Sequence, residues 1–443
     1  MLILYFVACG FTFGMYRLDR AISLATPLGE LNGNDLVLVA LLLWSLPEYL
    51  RLRKEHPSPW FRWVELAWIA LLIMLGIAAL NSVAENMKDR FVHLRFLEPY
   101  LLFFPTVAVL TDRRRLRQCM TFGICLAVLG TILTIAQAIH GLTLLTDSPL
   151  YNVGSWLGSR GMVGALVRVN LPISNWAAFV ILLLVASLLI RWRWWVVGLF
   201  SLLALTVFIN FARSLWLSLF VATVLEIVLF SWNGILDFKS GLRVALVPAV
   251  GAIALLVAPL VGLESLGDSM VGRIAEGVQF LNGGSGTWGD RVDQSAWTWA
   301  LLDQGYWLFG VGTDYQTFSG YIIDLGLPST LLSVGIVGMT VLFGTLTVCF
   351  FAGIDSLKEA VRRDDLAAIV VCIGLPAVII QRLVYQHWLY PESAGILAAA
   401  LGAALMVPYL SGEPEEGEDH EFEEEEAGED QVEENVDEEG RPD

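Results

Sequence analysis

Charge is scarce in this chain outside its last 33 residues. Charged side chains make up 16% of the 443 positions, against about a quarter in an ordinary soluble domain, so most of the chain has no means of building a water-facing surface. Nucleotide chemistry has no footing either. There is no Walker A glycine loop, no dinucleotide fingerprint and no HExxH pair, which leaves ATP hydrolysis and zinc hydrolysis without support. Cysteine is sparse, and Cys9, Cys119, Cys125, Cys349 and Cys372 are spaced too irregularly for a metal site or a disulfide framework. They read as packing residues. The five histidines are scattered too, and only His387 falls near an arginine expected on the outer face, where an interfacial role is the plain reading. No cofactor, no metal and no nucleic-acid partner is implied.

What the chain has instead is apolar length. Hydrophobic residues are 56% of the whole and mean hydropathy is +0.65. Apolar runs of about 16 to 24 residues recur from end to end, and at about 1.5 Å per residue such runs cross a hydrocarbon core of about 30 Å. The expected fold class is an all-α polytopic membrane protein with about 12 transmembrane helices. Spans are expected near 1–16, 35–50, 63–83, 96–111, 119–140, 173–190, 194–211, 214–231, 244–263, 328–352, 366–381 and 392–410. A signal peptide is the rival reading of the first, but no basic segment precedes it and no clear small-residue cleavage site follows.

Lys and Arg in short loops set the orientation. Clusters at Arg51, Arg53, Lys54 and Arg62, at Arg113, Arg114, Arg115 and Arg117, at Arg191 and Arg193, at Lys239 and Arg243, and at Lys358, Arg362 and Arg363 fall in every second loop. Twelve spans then put these clusters and both termini in the cytoplasm, and the long loops 141–172 and 264–327 outside. The formal charge of -17 belongs to the C-terminal segment: residues 411–443 hold 18 of the 44 acids and one of the 27 bases. Residues 1–410, the expected transmembrane domain, keep 26 of each and are neutral overall. Segment 411–443 has almost no apolar content and is expected to be a disordered, solvated cytoplasmic tail, with docking of a basic partner as the alternative.

Six arginines fall on the expected outer face: Arg160, Arg168, Arg213, Arg273, Arg291 and Arg382. Arginine presents a planar fork that grips phosphate oxygens bidentately, whereas lysine is a point charge. The plainer alternative for each is an ion pair with a nearby acid, or snorkelling to headgroups. Arg213 stands apart from the others, because its stretch Asn210, Phe211, Ala212, Arg213, Ser214 separates the apolar runs Trp194–Ile209 and Leu215–Phe230. A permanent charge at such a hinge needs a partner or a ligand. In the second long loop a helix is expected to start at Asp290. Arg291, Gln294, Ser295 and Thr298 would share one face and Val292, Ala296 and Trp299 another, as in an amphipathic lid on the membrane surface. Gly310 and Gly312 then turn the chain sharply. Aromatic rings around such a site stack on sugars, although the membrane's aromatic belt accounts for most of the 16 tryptophans.

In their order these pieces resemble the O-antigen ligase and polysaccharide repeat-unit polymerase superfamily of bacterial membrane glycosyltransferases. The pieces are Arg168-Val-Asn170-Leu-Pro-Ile-Ser-Asn175 entering a span, the Phe211-Ala-Arg213-Ser214 hinge, and Gly289-Asp-Arg291 leading a tryptophan-bearing helix. Leu308-Phe-Gly310-Val-Gly312 and Leu331-Leu-Ser-Val-Gly335-Ile-Val-Gly338 complete the series. The match covers most of 30–410 and is one of order and spacing more than identity. The resemblance implies that Arg213 holds a lipid diphosphate, although the family's serine before that arginine is Ala212 here, and that Arg291 opens the large-loop helix. Ligases of the superfamily carry a histidine shortly before the Gly-x-x-Gly pair; counting back from Gly335, Asp324 holds that place, which favours polymerase.

The implied reaction draws on a polyprenyl-diphosphate-linked oligosaccharide at the bacterial inner (plasma) membrane and uses neither nucleotide nor metal. Arg213 and Arg291 would neutralise the departing diphosphate, with Arg160, Arg168, Arg273, Arg382 and Tyr315 around the donor. Asp324, or Asp290 or Asp314, would orient or deprotonate an acceptor sugar hydroxyl for inverting attack. The acceptor is a growing glycan for a polymerase and a lipid or protein for a ligase, and a chain-length regulator is an implied partner. A lipid-linked glycan flippase or secondary transporter is the reading of another class, but the chain shows no internal repeat, and Glu226 is the main charge deep within a span. A non-catalytic scaffold that recruits partners through the acidic tail leaves the arginines unexplained.

Overall fold

The computed structural model describes residues 1–12, 23–26, 29–56, 58–81, 94–140, 162–163, 166–167, 173–209, 213–236, 287–312, 326–385 and 391–411. In chain order the helices are α1 (Leu2–Thr12), α2 (Gly33–Glu55), α3 (Pro59–Leu80), α4 (Glu98–Leu101), α5 (Phe103–Val109), α6 (Arg113–His140), α7 (Ile173–Ile190), α8 (Trp194–Ile209), α9 (Arg213–Trp232), α10 (Thr287–Leu301), α11 (Gly326–Arg362), α12 (Leu366–Tyr385) and α13 (Pro391–Met406). Two antiparallel hairpins were not expected from the hydropathy pattern: β1 (Ser23–Thr26) with β2 (Gly29–Asn32), and β3 (Met162–Val163) with β4 (Leu166–Val167). Both are too short to build a layer of their own.

Helix stands at eleven of the twelve expected span positions, while 244–263 lies outside the described residues. Among the described residues five helices are long and apolar enough to cross a membrane: Pro59–Leu80, Arg113–Ala136, Leu215–Trp232, Gly326–Arg362 and Leu366–Leu383. Four shorter apolar helices accompany them, Glu98–Val109, Trp176–Ile190, Trp194–Val207 and Ala394–Tyr409. Large side chains such as Ile3, Leu43, Trp44, Phe220 and Trp232 stand exposed on the bundle's outside, a surface that water would drive to aggregate and that lipid accommodates. This is an all-α, membrane-embedded protein.

The bundle is built around α12. Its Leu366–Leu383 stretch is 78% buried, whereas the other four long spans are between 28% and 39% buried. It packs most extensively on α9 and α11, and also on α7 and α13. Local sequence sets its start: the Asp365 carboxylate accepts from the Ala368 backbone N–H at 3.1 Å and also receives Arg113 Nε at 3.0 Å. An acid at a helix N-terminus is favoured twice, as a cap and against the helix dipole. The start of α3 is marked by Ser58, whose hydroxyl accepts from Phe61 N–H, with Pro59 in the first turn.

The two ends of the bundle differ in composition. At one end, which we call the tail end, Ser411 exchanges backbone hydrogen bonds with Thr111 and Arg113, Arg363 donates to the Pro408 carbonyl at 2.7 Å, and His56 stacks on Tyr409 with ring centroids 4.2 Å apart. Three of the basic clusters named above therefore meet at this one end. The other end, here the hinge end, is fixed by α6. Starting from Arg113 at the tail end, Thr131 lies about 27 Å along the axis, and its hydroxyl is hydrogen-bonded to Thr206 of α8 at 2.8 Å. The turn between α8 and α9 is thus on the opposite side from Ser411.

Candidate functional site

Four of the expected site residues have at least their backbones among the described residues: two at the hinge end and two in the helix beside it. Arg213 is the first residue of α9, directly after the α8–α9 turn. Arg382 lies in the last turn of α12, about 24 Å from that helix's start at the tail end. Helices α9 and α12 therefore run antiparallel, with Leu182, Ala222 and Ala377 packed together midway, and positions 213 and 382 fall at the same end of this extensively packed pair. Arg291 and Asp290 lie in α10, which packs on α11. The side chains of Arg213, Asp290 and Arg291 lie outside the described residues, as do Arg160, Arg168, Arg273, Asp314, Tyr315 and Asp324 entirely.

Arg382 is expected just beyond a span that ends at 381, around the donor, with an ion pair or snorkelling to headgroups as the plainer alternative. Instead it is 1% exposed and stays within the helix. Burial of a guanidinium costs several kcal/mol of hydration unless anions or dipoles replace the water, so this residue is held by the protein interior and does not snorkel. Its neighbour Gln381 is fully buried, and neither its amide nitrogen nor its amide oxygen is hydrogen-bonded. An unsatisfied buried amide costs about 1–3 kcal/mol. Hydropathy at position 381 gives no hint of this, because a glutamine at a span end reads as an interfacial residue.

The glycines of the two short motifs meet each other. Gly310 N–H bonds back to Tyr306, Val311 and Gly312 N–H donate to the carbonyls of Leu332 and Ser333, and Ile336 and Val337 N–H donate to Trp307 and Leu308. Residues 307–312 thus cross a break in α11 at Gly335, where the backbone is left-handed with φ +67°. A Cβ on Gly335 would sit 2.3 Å from the Leu308 carbonyl oxygen, and one on Gly310, at φ +70°, would sit 2.4 Å from that of Leu332. Both positions need glycine for conformation and for space. The side-chain amide of Asn81, at the hinge end of α3, reaches the Gly310 carbonyl at 3.5 Å, which ties this crossing to the same end of the bundle as Arg382.

Helix α10 begins at Thr287, three residues before the expected Asp290, and its facing differs from that of a lid. Thr298 is 1% exposed and Trp299 is 49% exposed. The face carrying Gln294 and Thr298 is turned toward the protein, with Leu301 and Leu302 packing on Val311 and Leu332, so the helix leans on the glycine crossing. The exposed tryptophan faces outward, beside Trp307 at 5.4 Å.

One titratable cluster at the hinge end has no sequence signal. Arg95 donates to Asp35 at 3.0 Å, and Glu98, the first residue of α4, hydrogen-bonds to the same Asp35 carboxyl group. Two carboxyl groups bond to each other only when one carries a proton. The partners are sixty residues apart and on different helices, so no local spacing reveals them. Among the described residues no cluster of His, Cys, Asp or Glu has the composition of a metal site, and the five cysteines are free thiols. A cavity of about 80 Å³ lined by Tyr5, Cys9, Thr106, Cys119 and Trp176 lies toward the tail end and holds none of the expected site residues. Its polar feature is the hydrogen bond between Tyr5 Oη and Thr106 Oγ1 at 2.9 Å.

No protein-family profile matches this chain, and no curated protein matches it. The resemblance in motif order is accordingly a basis for a proposal and goes no further.

Proposed function

We propose that this chain is a membrane glycosyltransferase which takes a glycan from a polyprenyl-diphosphate-linked donor and adds it to an acceptor sugar hydroxyl, acting as a repeat-unit polymerase. The observation that carries the reading is the antiparallel pairing of α9 and α12, which brings Arg213 and Arg382 to one end of the bundle, beside the glycine crossing that supports the Arg291 helix. Guanidinium groups fixed in a low-dielectric site stabilise negative charge that grows in the transition state. In the reaction the acceptor oxygen bonds to the anomeric carbon, the bond from that carbon to the diphosphate oxygen breaks, and the diphosphate leaves with both electrons. The hydroxyl proton passes to a carboxylate, for which Asp324 is the proposed group. The donor carries its own leaving group, so no nucleotide enters the scheme. The proposed setting is the plasma membrane of a bacterium with twelve crossings, the hinge end outside and both termini in the cytoplasm.

The test is incubation of the purified protein with a polyprenyl-diphosphate oligosaccharide, without nucleotide, followed by gel and mass analysis. A ladder of repeats is the expected product, lost in Arg213→Ala while the protein remains folded. Transfer confined to a separate lipid or protein acceptor would make it a ligase. One observation favours a second reading: Glu226, in the middle of α9, is fully buried with neither carboxyl oxygen hydrogen-bonded, and acids at such depth are typical of transport sites. Movement of the intact donor across a proteoliposome membrane, with no transfer, would decide for a flippase.

A further inference from the structure

The tail end of the bundle carries more positive charge than its own acids neutralise. Arg113 is paired with Asp365, Arg115 with Asp112, Arg53 with Glu65, and Arg362 and Arg363 with Glu359. Lys54, Arg62, Arg114 and Lys358 are exposed and have no ion pair among the described residues. Each is close in the chain to a residue that holds the last described segment: Lys54 and Arg62 flank His56, which stacks on Tyr409, Arg114 follows Arg113, which bonds Ser411, and Lys358 lies one turn before the Arg362–Arg363 pair, of which Arg363 binds Pro408. Ser411 is thus held at an end where these four cations outnumber the exposed acids that also lack an ion pair among the described residues, Asp355 and Asp364, and the 32 residues that follow it carry 18 acids against Arg441 alone.

We propose that residues 412–443 dock on this face as an intramolecular polyanion and cover Lys54, Arg62, Arg114 and Lys358. A flexible chain of this length spans about 30 Å on average, enough to reach all four from Ser411, and tethering sets its local concentration in the millimolar range. No comparable acidic segment exists in residues 1–410, where acids and bases are equal in number. The same cations would otherwise recruit anionic lipid headgroups, so the tail and the headgroups compete for one face.

The full-length protein in nanodiscs of purely zwitterionic lipid is treated with a water-soluble carbodiimide, which condenses a carboxyl group with a lysine amine into an amide while the carbodiimide takes up the water as a urea. Peptide mapping is expected to find tail acids joined to Lys54 and Lys358, in a yield that does not change on dilution. The yield should fall about fivefold when salt is raised from 0.15 M to 1 M, as the screening length drops from about 8 Å to about 3 Å, and likewise in Arg62→Glu and Arg114→Glu variants. A yield indifferent to salt and to these substitutions would mean tethering without docking and would overturn the proposal. So would loss of the cross-links in nanodiscs with a physiological share of anionic lipid, which would assign the face to headgroups.

Discussion

Replacing Glu226 by leucine should make this protein more stable. The acid lies on α9 with 0% exposure, and both carboxyl oxygens lack a hydrogen-bond partner. Among the described residues the helices packed on α9 offer no remedy: α7 and α8 contain no charged residue, and Arg382, the single charge on α12, is by the Ala222–Ala377 register some nine residues away, or about 13 Å. A buried polar group left unsatisfied costs about 1–3 kcal/mol, and replacement by an apolar group of similar size removes that cost. Leucine is slightly bulkier, which returns up to about 1 kcal/mol as strain, so a net gain of about 1–2 kcal/mol is expected. Glu226→Gln keeps two polar atoms in the same place and should change stability by less than about 0.5 kcal/mol. Thermal unfolding followed by tryptophan fluorescence in one detergent, on the three proteins side by side, gives the ordering. If leucine destabilises by 1 kcal/mol or more, or abolishes a transport activity that glutamine retains, the carboxyl group has a partner or a task that this packing does not reveal, and the flippase reading gains.

Gly335→Ala should cost at least about 2 kcal/mol, since a left-handed backbone is penalised by about 1–2 kcal/mol for any other residue and its Cβ would stand 2.3 Å from the Leu308 carbonyl oxygen; a native thermal midpoint in the variant would show that the crossing is not as tight as described. Arg382→Lys should lower glycan transfer about as far as Arg382→Gln does, because a lysine cannot reproduce a buried planar fork, and product ladders measured at saturating donor would check it. Glu98→Gln supplies a neutral donor to Asp35 and should cost less than about 1 kcal/mol, while Asp35→Ala removes the acceptor that Glu98 and Arg95 share and should cost about 2 kcal/mol; equal unfolding midpoints for the two variants would contradict the arrangement.

Hydropathy read along the chain located the helices, because a membrane-embedded helix must be apolar over its whole length wherever it points. The same reading says little about direction around the axis. Arg382 and Gln381 were legible as polar residues at a span end, but their burial depends on α9 and α11 closing over α12, which no stretch of α12 records. The glycine motifs were legible as turns, and what they turn against was not: Gly310 and Gly335 serve each other across a break in α11. The pairs Asp35 with Glu98, Tyr5 with Thr106 and Asn81 with Gly310 join segments far apart in sequence, and a single sequence carries no trace of them. For α10 the amphipathic pattern was legible, and which face meets the protein was not: the polar face with Thr298 meets protein and Trp299 meets the surroundings.

The place of α12 in the chain has a consequence for biogenesis. The most buried of the described spans begins at Leu366, well after α9 begins at Arg213, so at about 5–20 residues per second α9 waits roughly 8 to 30 s for it. During that time α7, α9 and α11 have been inserted without the helix they are shaped to hold, and Glu226 faces lipid or a transient neighbour. Such half-built bundles are what membrane chaperones and intramembrane proteases act upon, and a chain stopped short of α12 should be cleared rather than accumulate. The keystone of this arch is laid late, with only α13 to follow it among the described helices.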